Sequence, residues 1–474
     1  MADAALLDLG VAGLAAAIRR GAVTAREATE AAIARANEAQ PATNAFVEIM
    51  ADRARADAAT LDAEQRAGHL RGPLHGVPLA HKDCLERAGA AMSVGSRVMA
   101  DAPKGREHAT VLRRLRDAGA IDLGRLHLNE FVAGPTGQNP YLGDCRNAWD
   151  PSRVSGGSSS GSGAAVASGA CFAALGSDTG GSIRLPAAMN GLFGLKPTQG
   201  RVSRAGCFPR AHSLDCIGPM ARSAEDCAFL LSAIAGPDPR DSTALAAPVP
   251  DYATRLATAG DGSRLAVLET PIDLHPEVAA RLSDAARAAA SLFGVAPKRA
   301  FKNFAACDAA GDVMSKVEAS TLHARWMAER GGDYSTAVHA RTEPGLAIPA
   351  QRYLEALAIR GKILQDFLDD AMAGADALLC PAVPIPTPTR AEADMEGEGR
   401  VFAIVAQLTR LTRPFSYLGL PVLTVPIALD SNGMPVGAQL IGRPFGEARL
   451  LSIGARLSEA LGWSMRPGLP PRHA

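Results

Sequence analysis

A chain of 474 residues carrying 49 Lys plus Arg against 49 Asp plus Glu has no formal net charge, so no long-range field favours nucleic acid or an anionic membrane as a partner. Its eight cysteines (Cys84, Cys145, Cys171, Cys207, Cys216, Cys227, Cys307 and Cys380) form no Cys-x-x-Cys pair, which points to reduced thiols in a cytoplasmic protein rather than to disulfides or structural zinc. Met1-Ala2-Asp3-Ala4 lacks the basic start of a signal peptide, and the small apolar run from Gly163 to Gly176 is too short for a bilayer span of ~20 residues.

Leu9, Val11, Leu14 and Ile18 recur at helical spacing up to Gly21. Thr24-Ala25-Arg26-Glu27 has the form of a capping box and predicts a helix to about Ala39. Ala45 to Met50 reads as a strand and Ala51 to Ala67 as an exposed helix. The passage Gly72-Pro-Leu-His-Gly-Val-Pro-Leu-Ala-His-Lys82-Asp83 ends a short apolar strand on a lysine. An ammonium leaving water is costly unless paired or deprotonated, so Lys82 is a candidate functional amine; the bland alternative is a solvated lysine paired with Asp83. His81 falls on the opposite strand face and is expected to pack.

Ala109 to Ala118 predicts a helix with Arg113, Arg114 and Arg116 on its solvated side, and Ala120 to Leu123 a strand. The polar loop Gly134 to Asp150 is the expected wall of a pocket. His127 and Glu130 have no second histidine at helical spacing, so no metal site is expected.

Two glycine turns follow. The first is Ser155-Gly156-Gly157-Ser158-Ser159-Ser160-Gly161-Ser162-Gly163; the second is Gly176-Ser177-Asp178-Thr179-Gly180-Gly181-Ser182-Ile183-Arg184. Ala164 to Ser168 is helix-permissive, and Ala170 to Leu175 is the length of a buried strand that would deliver the second turn to a sheet edge. Pro186 suits a first helical turn, so the amides of Thr179, Gly180, Gly181 and Ser182 would gather where negative charge is favoured, as a developing oxyanion requires. A serine nucleophile needs a base, and none of the ten histidines lies in this segment. Lys82, deprotonated by burial, supplies an alternative, with Ser158 placed as a relay. Gly157-Ser158-Ser159-Ser160-Gly161 fits Gly-x-Ser-x-Gly, but polar residues rather than a core strand precede it, so it is no nucleophile elbow.

Beyond Lys196 a turn-rich passage runs to Pro219, and Ser223-Ala224-Glu225-Asp226 opens a helix to about Ala235. Leu265 to Leu268 predicts a strand, Glu277 to Phe293 and Thr321 to Arg330 helices, Pro349 to Ala373 a long helix, and Ala377 to Cys380 a strand. Pro381 to Gly399 reads as a loop or lid. Val422 to Ile427 and Val436 to Ile441 flank Asn432-Gly433, a strong hairpin signal, and Gly446 to Leu461 closes the chain as a helix. The alternation predicts an α/β protein, a three-layer α/β/α arrangement around a mixed, mostly parallel sheet.

These residues together resemble the amidase signature family. Gly-Val-Pro-Leu-Ala-His-Lys-Asp, then Gly156-Gly157-Ser158-Ser159, then Ser182 within Gly-Ser-Asp-Thr-Gly-Gly-Ser-Ile-Arg match its three-part pattern, and the similarity runs from about Thr24 to segments near 419 and 439. The resemblance implies that Ser182 forms an acyl-enzyme. Ser158, held by a cis peptide after Gly157, shuttles the proton, Lys82 is the base, and the amides of Thr179, Gly180, Gly181 and Ser182 form an oxyanion hole, with Asp178 and Arg184 bracing the loop. It further implies one amidase domain over 1–474 (a helical scaffold to 70, the signature core at 72–220, the remaining sheet, helices and substrate loops at 221–474), with no cofactor and no metal.

The expected partner is a small-molecule amide, with no nucleic acid and no membrane; a homodimer is common among relatives. The expected activity is hydrolysis of a carboxylic amide to acid and ammonia or amine. The alternatives are a glutaminase subunit of a tRNA-dependent amidotransferase and a non-catalytic anion-binding module. The loop Gly134 to Pro140 looks more like stand-alone amidases than the amidotransferase component. Pocket walls are expected from Gly134 to Cys145, Cys207 to Asp215 and Met395 to Leu418.

Overall fold

The computed structural model describes residues 6–294, 297–394 and 401–464. Eleven strands form one sheet: β1 (Phe46–Ile49), β2 (Pro78–Lys82), β3 (Ile121–Leu126), β4 (Ala173–Asp178), β5 (Phe193–Lys196), β6 (Cys216–Ala221), β7 (Leu265–Glu269), β8 (Lys298–Ala300), β9 (Ala377–Pro381), β10 (Val422–Leu429) and β11 (Pro435–Gly442). Their order is β1-β3-β2-β4-β6-β5-β10-β11-β9-β7-β8. The sheet is mixed, as expected, but not mostly parallel. β2 runs parallel to β3 and β4, and β7 to β8 and β9, whereas the other six pairings are antiparallel. The reversal comes from β6, which returns antiparallel between β4 and β5.

Local chemistry explains most elements. Thr24 caps the Ala25–Thr43 helix in a full capping box with Glu27, so two otherwise orphaned backbone donors are satisfied at its start. Ser223 accepts from Asp226 N–H and opens the Ala224–Ile234 helix. The hairpin turns at Asp430 to Gly433, where Gly433 takes a φ of 75° that a side chain would resist.

Several expectations shift. The passage after Lys196 is not all turn, because it ends in β6, whose Gly218 and Pro219 hide a strand that pairs with Gly176 and Leu175. β4 begins at Ala173 rather than Ala170 and extends to Asp178. The helix expected at Thr321 to Arg330 begins at Phe304. Arg114 is not a solvated residue; it is half-buried and donates to the carbonyls of Ile234, Gly236 and Pro237. The loop after β9 is described only to residue 394, and Met395 to Gly399 lie outside the described residues. Among the described residues no helix is long and apolar enough to cross a membrane, and all eight cysteines are free thiols.

These pairings set the site. β2 and β4 lie side by side in parallel, with His81 opposite Leu175. The C-terminal ends of both strands therefore meet, and Lys82 arrives beside the second glycine turn.

Candidate active site

Lys82 closes β2 with 0% exposure. Its Nζ donates to Ser158 Oγ at 2.8 Å and to Ser177 Oγ at 2.9 Å, and among the described residues it makes no ion pair. The neighbouring acid, Asp83, is occupied by Arg125 in a two-point pair of 2.7 and 3.0 Å and by Ser93 N–H, which overturns the solvated Lys82–Asp83 alternative. Burial pushes the Lys82 pKa down, and the acids and thiols around it only partly offset that effect. His81, on the opposite face, is buried and accepts from Leu175 N–H; burial holds it down at about 4.

Ser158 sits where the first glycine turn enters the Ser160–Ala167 helix, and the Gly157–Ser158 peptide bond is cis. Its carbonyl accepts from Asn129 N–H. Gly157 is required by space, since a Cβ there would fall 2.0 Å from Asn129 Oδ1 and 2.8 Å from the Gly134 carbonyl. Ser182 lies on the other turn, and its carbonyl accepts from Ser159 N–H at 3.2 Å, which ties the two turns together beside Ser158. Unlike Lys82 and Ser158, Ser182 is partly exposed. It lines a cavity of about 300 Å³ together with Thr179 and Gly180.

Gly181 departs from the expected set of oxyanion donors. Its N–H donates to Asp178 Oδ1 at 2.8 Å, and it does not line the cavity that Thr179, Gly180 and Ser182 share. Its place is structural, in a turn at φ 137°.

Asp178 and Arg184 form a fully buried, two-point pair at 2.9 and 3.0 Å. The remaining guanidinium donors reach Thr412 O, Gln439 Oε1 and Ser416 Oγ, so no buried charge is left unanswered. Burial alone would raise the Asp178 carboxyl, but the Arg184 charge and hydrogen bonds outweigh it and hold the group down at about 2.

Sequence reasoning missed several contributors. Ser177 is the second hydroxyl on Lys82, and its place follows only from the β2–β4 register. Asp215 fixes the Thr179 hydroxyl and the N–H groups of Arg210 and Ala211. Thr412 Oγ1 donates to the Gly180 carbonyl. The cavity wall expected from Gly134 to Cys145 contributes Gly134 and Pro135, the segment from Cys207 contributes Arg210, and the late loop contributes Val405, Ala406, Thr409 and Arg413. His127 and Glu130 serve neighbours, His127 Nε2 bonding the Gly143 carbonyl and Glu130 the Ser96 hydroxyl. Among the described residues no group of three His, Cys, Asp or Glu is arranged to hold a metal ion.

A family model described as Amidase matches residues 27–451. The A subunit of glutamyl-tRNA(Gln) amidotransferase from Synechococcus sp. (strain CC9605) is 36% identical over 480 residues, 96% of either chain. Among solved structures, the peptide amidase PAM bound to the competitive inhibitor chymostatin superposes with a TM-score of 0.84 at 31% identity, covering 97% of this chain and 99% of its own. The 6-aminohexanoate cyclic dimer hydrolase complexed with substrate does so at 0.87 and 27%, covering 98% and 99%.

Proposed function

The chain belongs to the amidase family, and we propose that it is a cytoplasmic serine hydrolase that cleaves a carboxylic amide C–N bond through an acyl-Ser182 intermediate. The observation that carries this reading is the Lys82 amine, fully buried, without a carboxylate partner among the described residues and 2.8 Å from Ser158 Oγ. Burial pushes the Lys82 pKa down, so this amine gives up its proton more readily than a solvated lysine, as a general base requires.

The proposed steps are these. Lys82 Nζ takes the Ser158 proton as Ser158 Oγ takes that of Ser182, and Ser182 Oγ bonds to the amide carbon. The carbonyl π pair moves onto oxygen, which faces the N–H groups of Thr179, Gly180 and Ser182. Fixed donors of this kind stabilise charge only as it develops, each worth about 10²–10³ in rate. The proton then returns from Lys82 through Ser158 to the leaving nitrogen, the C–N bond breaks, and ammonia or amine departs. Water repeats the sequence on the acyl-serine, releasing the carboxylate.

A second reading is supported by the 36% identity to the amidotransferase relative: a glutaminase subunit whose ammonia goes to a tRNA-bound partner. It predicts glutamine hydrolysis that depends on that partner, whereas the leading reading predicts ammonia release by the isolated chain from simple amides. The test is intact-mass analysis with a phosphonylating serine probe, run beside an amide panel. A single adduct on Ser182, absent from Ser182→Ala together with turnover, is expected. Turnover by Ser182→Ala at the wild-type rate would end the assignment.

A further inference from the structure

The cavity that holds Ser182 is also lined by Arg210, Arg341, Arg413, Lys316 and one acid, Asp312. Two of the cations are answered within the protein. Arg413 donates to Asp308 at 2.7 Å and stands 3.6 Å from Asp312, and Lys316 pairs with Asp312 at 2.6 Å. Arg210 and Arg341 are not answered. Arg210 donates to Thr342 Oγ1 and to the Arg341 carbonyl, both at 3.1 Å, while Arg341 Nε is buried with no hydrogen-bond partner. Among the described residues neither guanidinium makes an ion pair. Asp215, whose charge acts on Arg210 through space, is spent on the Thr179 hydroxyl and two backbone N–H groups.

Two neighbouring guanidiniums of like charge, one with an orphaned buried donor, repel each other and are stabilised by an anion that answers both. Burial is the main cause that lowers both to about 10, with the Arg210 and Arg413 charges adding to it at Arg341 and the Asp312 charge opposing it at both. Both therefore stay cationic at neutral pH, and a planar anion offers the two-point acceptor that the guanidinium fork fits.

We propose that Arg210 and Arg341 receive a free carboxylate on the substrate, so that the preferred substrates are monoamides of short dicarboxylic acids without an ammonium group near that carboxylate. The exclusion of an ammonium follows from the same inventory: among the described residues Asp312 is the only acid on the wall, and Lys316 and Arg413 already share it. A zwitterion such as glutamine would set its cation among four others with no acid among the described lining residues free to receive it. The small cavity, about 300 Å³, suits a chain of a few carbons. This inference rests on Ser182 as the nucleophile.

The experiment compares kcat/KM of the full chain for succinamate and glutaramate with butyramide and valeramide, their neutral counterparts of equal length, and with glutamine. We expect the anionic amides to lead the neutral ones and glutamine by 100-fold or more. Arg341→Leu should collapse that ratio by 30-fold or more through KM, and Arg341→Lys should restore part of it. Equal efficiency on glutaramate and valeramide, or on glutaramate and glutamine, overturns the proposal while leaving Ser182 in place. Calorimetric titration of Ser182→Ala with glutarate provides a readout independent of turnover. Binding that weakens at least 10-fold in the Ser182→Ala, Arg341→Leu double variant supports the carboxylate site, and equal binding overturns it. Absence of turnover on every amide would instead strike at the catalytic reading.

Discussion

Lys82 Nζ stands 2.8 Å from Ser158 Oγ, 76 residues away along the chain, and neither side chain is more than 1% exposed. A second lysine, Lys196, is equally buried, yet its amine donates to the Pro197 carbonyl and, at 3.8 Å, to Cys216 Sγ. Both are pushed down by burial. Only Lys82 has hydroxyls to deprotonate.

If Lys82 and Ser158 relay one proton, they act as a unit. Lys82→Met and Ser158→Ala should each lower kcat/KM by about 10³-fold or more, and the double variant should be little worse than the poorer single. Losses that multiply would show that the two groups serve separate steps.

The sign of the pH dependence follows from the same amine. A base works when unprotonated, so kcat/KM should rise with pH along one acidic limb and then level. Because burial lowers the Lys82 pKa, that limb should lie below the ~10.4 of a free lysine. A limb at the free-lysine value in a pH–rate profile would contradict a desolvated base.

Removing one member of the buried Asp178–Arg184 pair should be severe. Arg184→Leu strands a carboxylate in the core and should cost about 3–5 kcal/mol in urea denaturation at pH 7. The carboxyl is held at about 2 against an ordinary 3.8, a depressed acid. It therefore contributes about 2 kcal/mol that is complete above the ordinary value and lost as pH falls toward 2. The stability gap between wild type and Asp178→Asn should accordingly narrow from pH 5 downward; a gap independent of pH would show that the charge is not what the pair contributes.

Gly181→Ala tests the turn. At φ 137° any side chain is strained, and the new Cβ would meet Thr412 Oγ1 at 2.4 Å. The turn would have to move, taking the N–H groups of Thr179 and Gly180 with it. Expected is a fall in kcat of about 10²-fold, comparable to losing one oxyanion donor, with far-UV circular dichroism retained. Wild-type kcat in a folded variant would mean that the turn does not position the oxyanion.

Some elements were legible in the sequence because their causes are local. Thr24 and Glu27 announce a helix start, Asn432-Gly433 a hairpin, and the spacing of the glycine turns a shared site. β4 was misplaced for an instructive reason. Read by polarity, Gly176-Ser177-Asp178 is loop, yet these residues continue the strand because Ser177 finds Lys82 and Asp178 finds Arg184 in the interior. The Phe304–Arg330 helix runs through Gly311, where a Cβ would fall 3.0 Å from Arg413 Cγ, so the glycine allows close packing.

The sequence by itself determined which residue types stand at which spacing: a lysine ending a strand, two hydroxyl-bearing glycine turns, and a neutral, thiol-reduced composition. Only the tertiary structure decided that Lys82 rather than Lys196 faces the serines, that Gly181 gives its N–H to Asp178, and that Arg210 and Arg341 line one cavity without an ion pair among the described residues. The physical reason is that hydrogen-bond reach and desolvation are properties of groups brought together across the sheet, and no pattern along the chain encodes which buried charge is left without a partner.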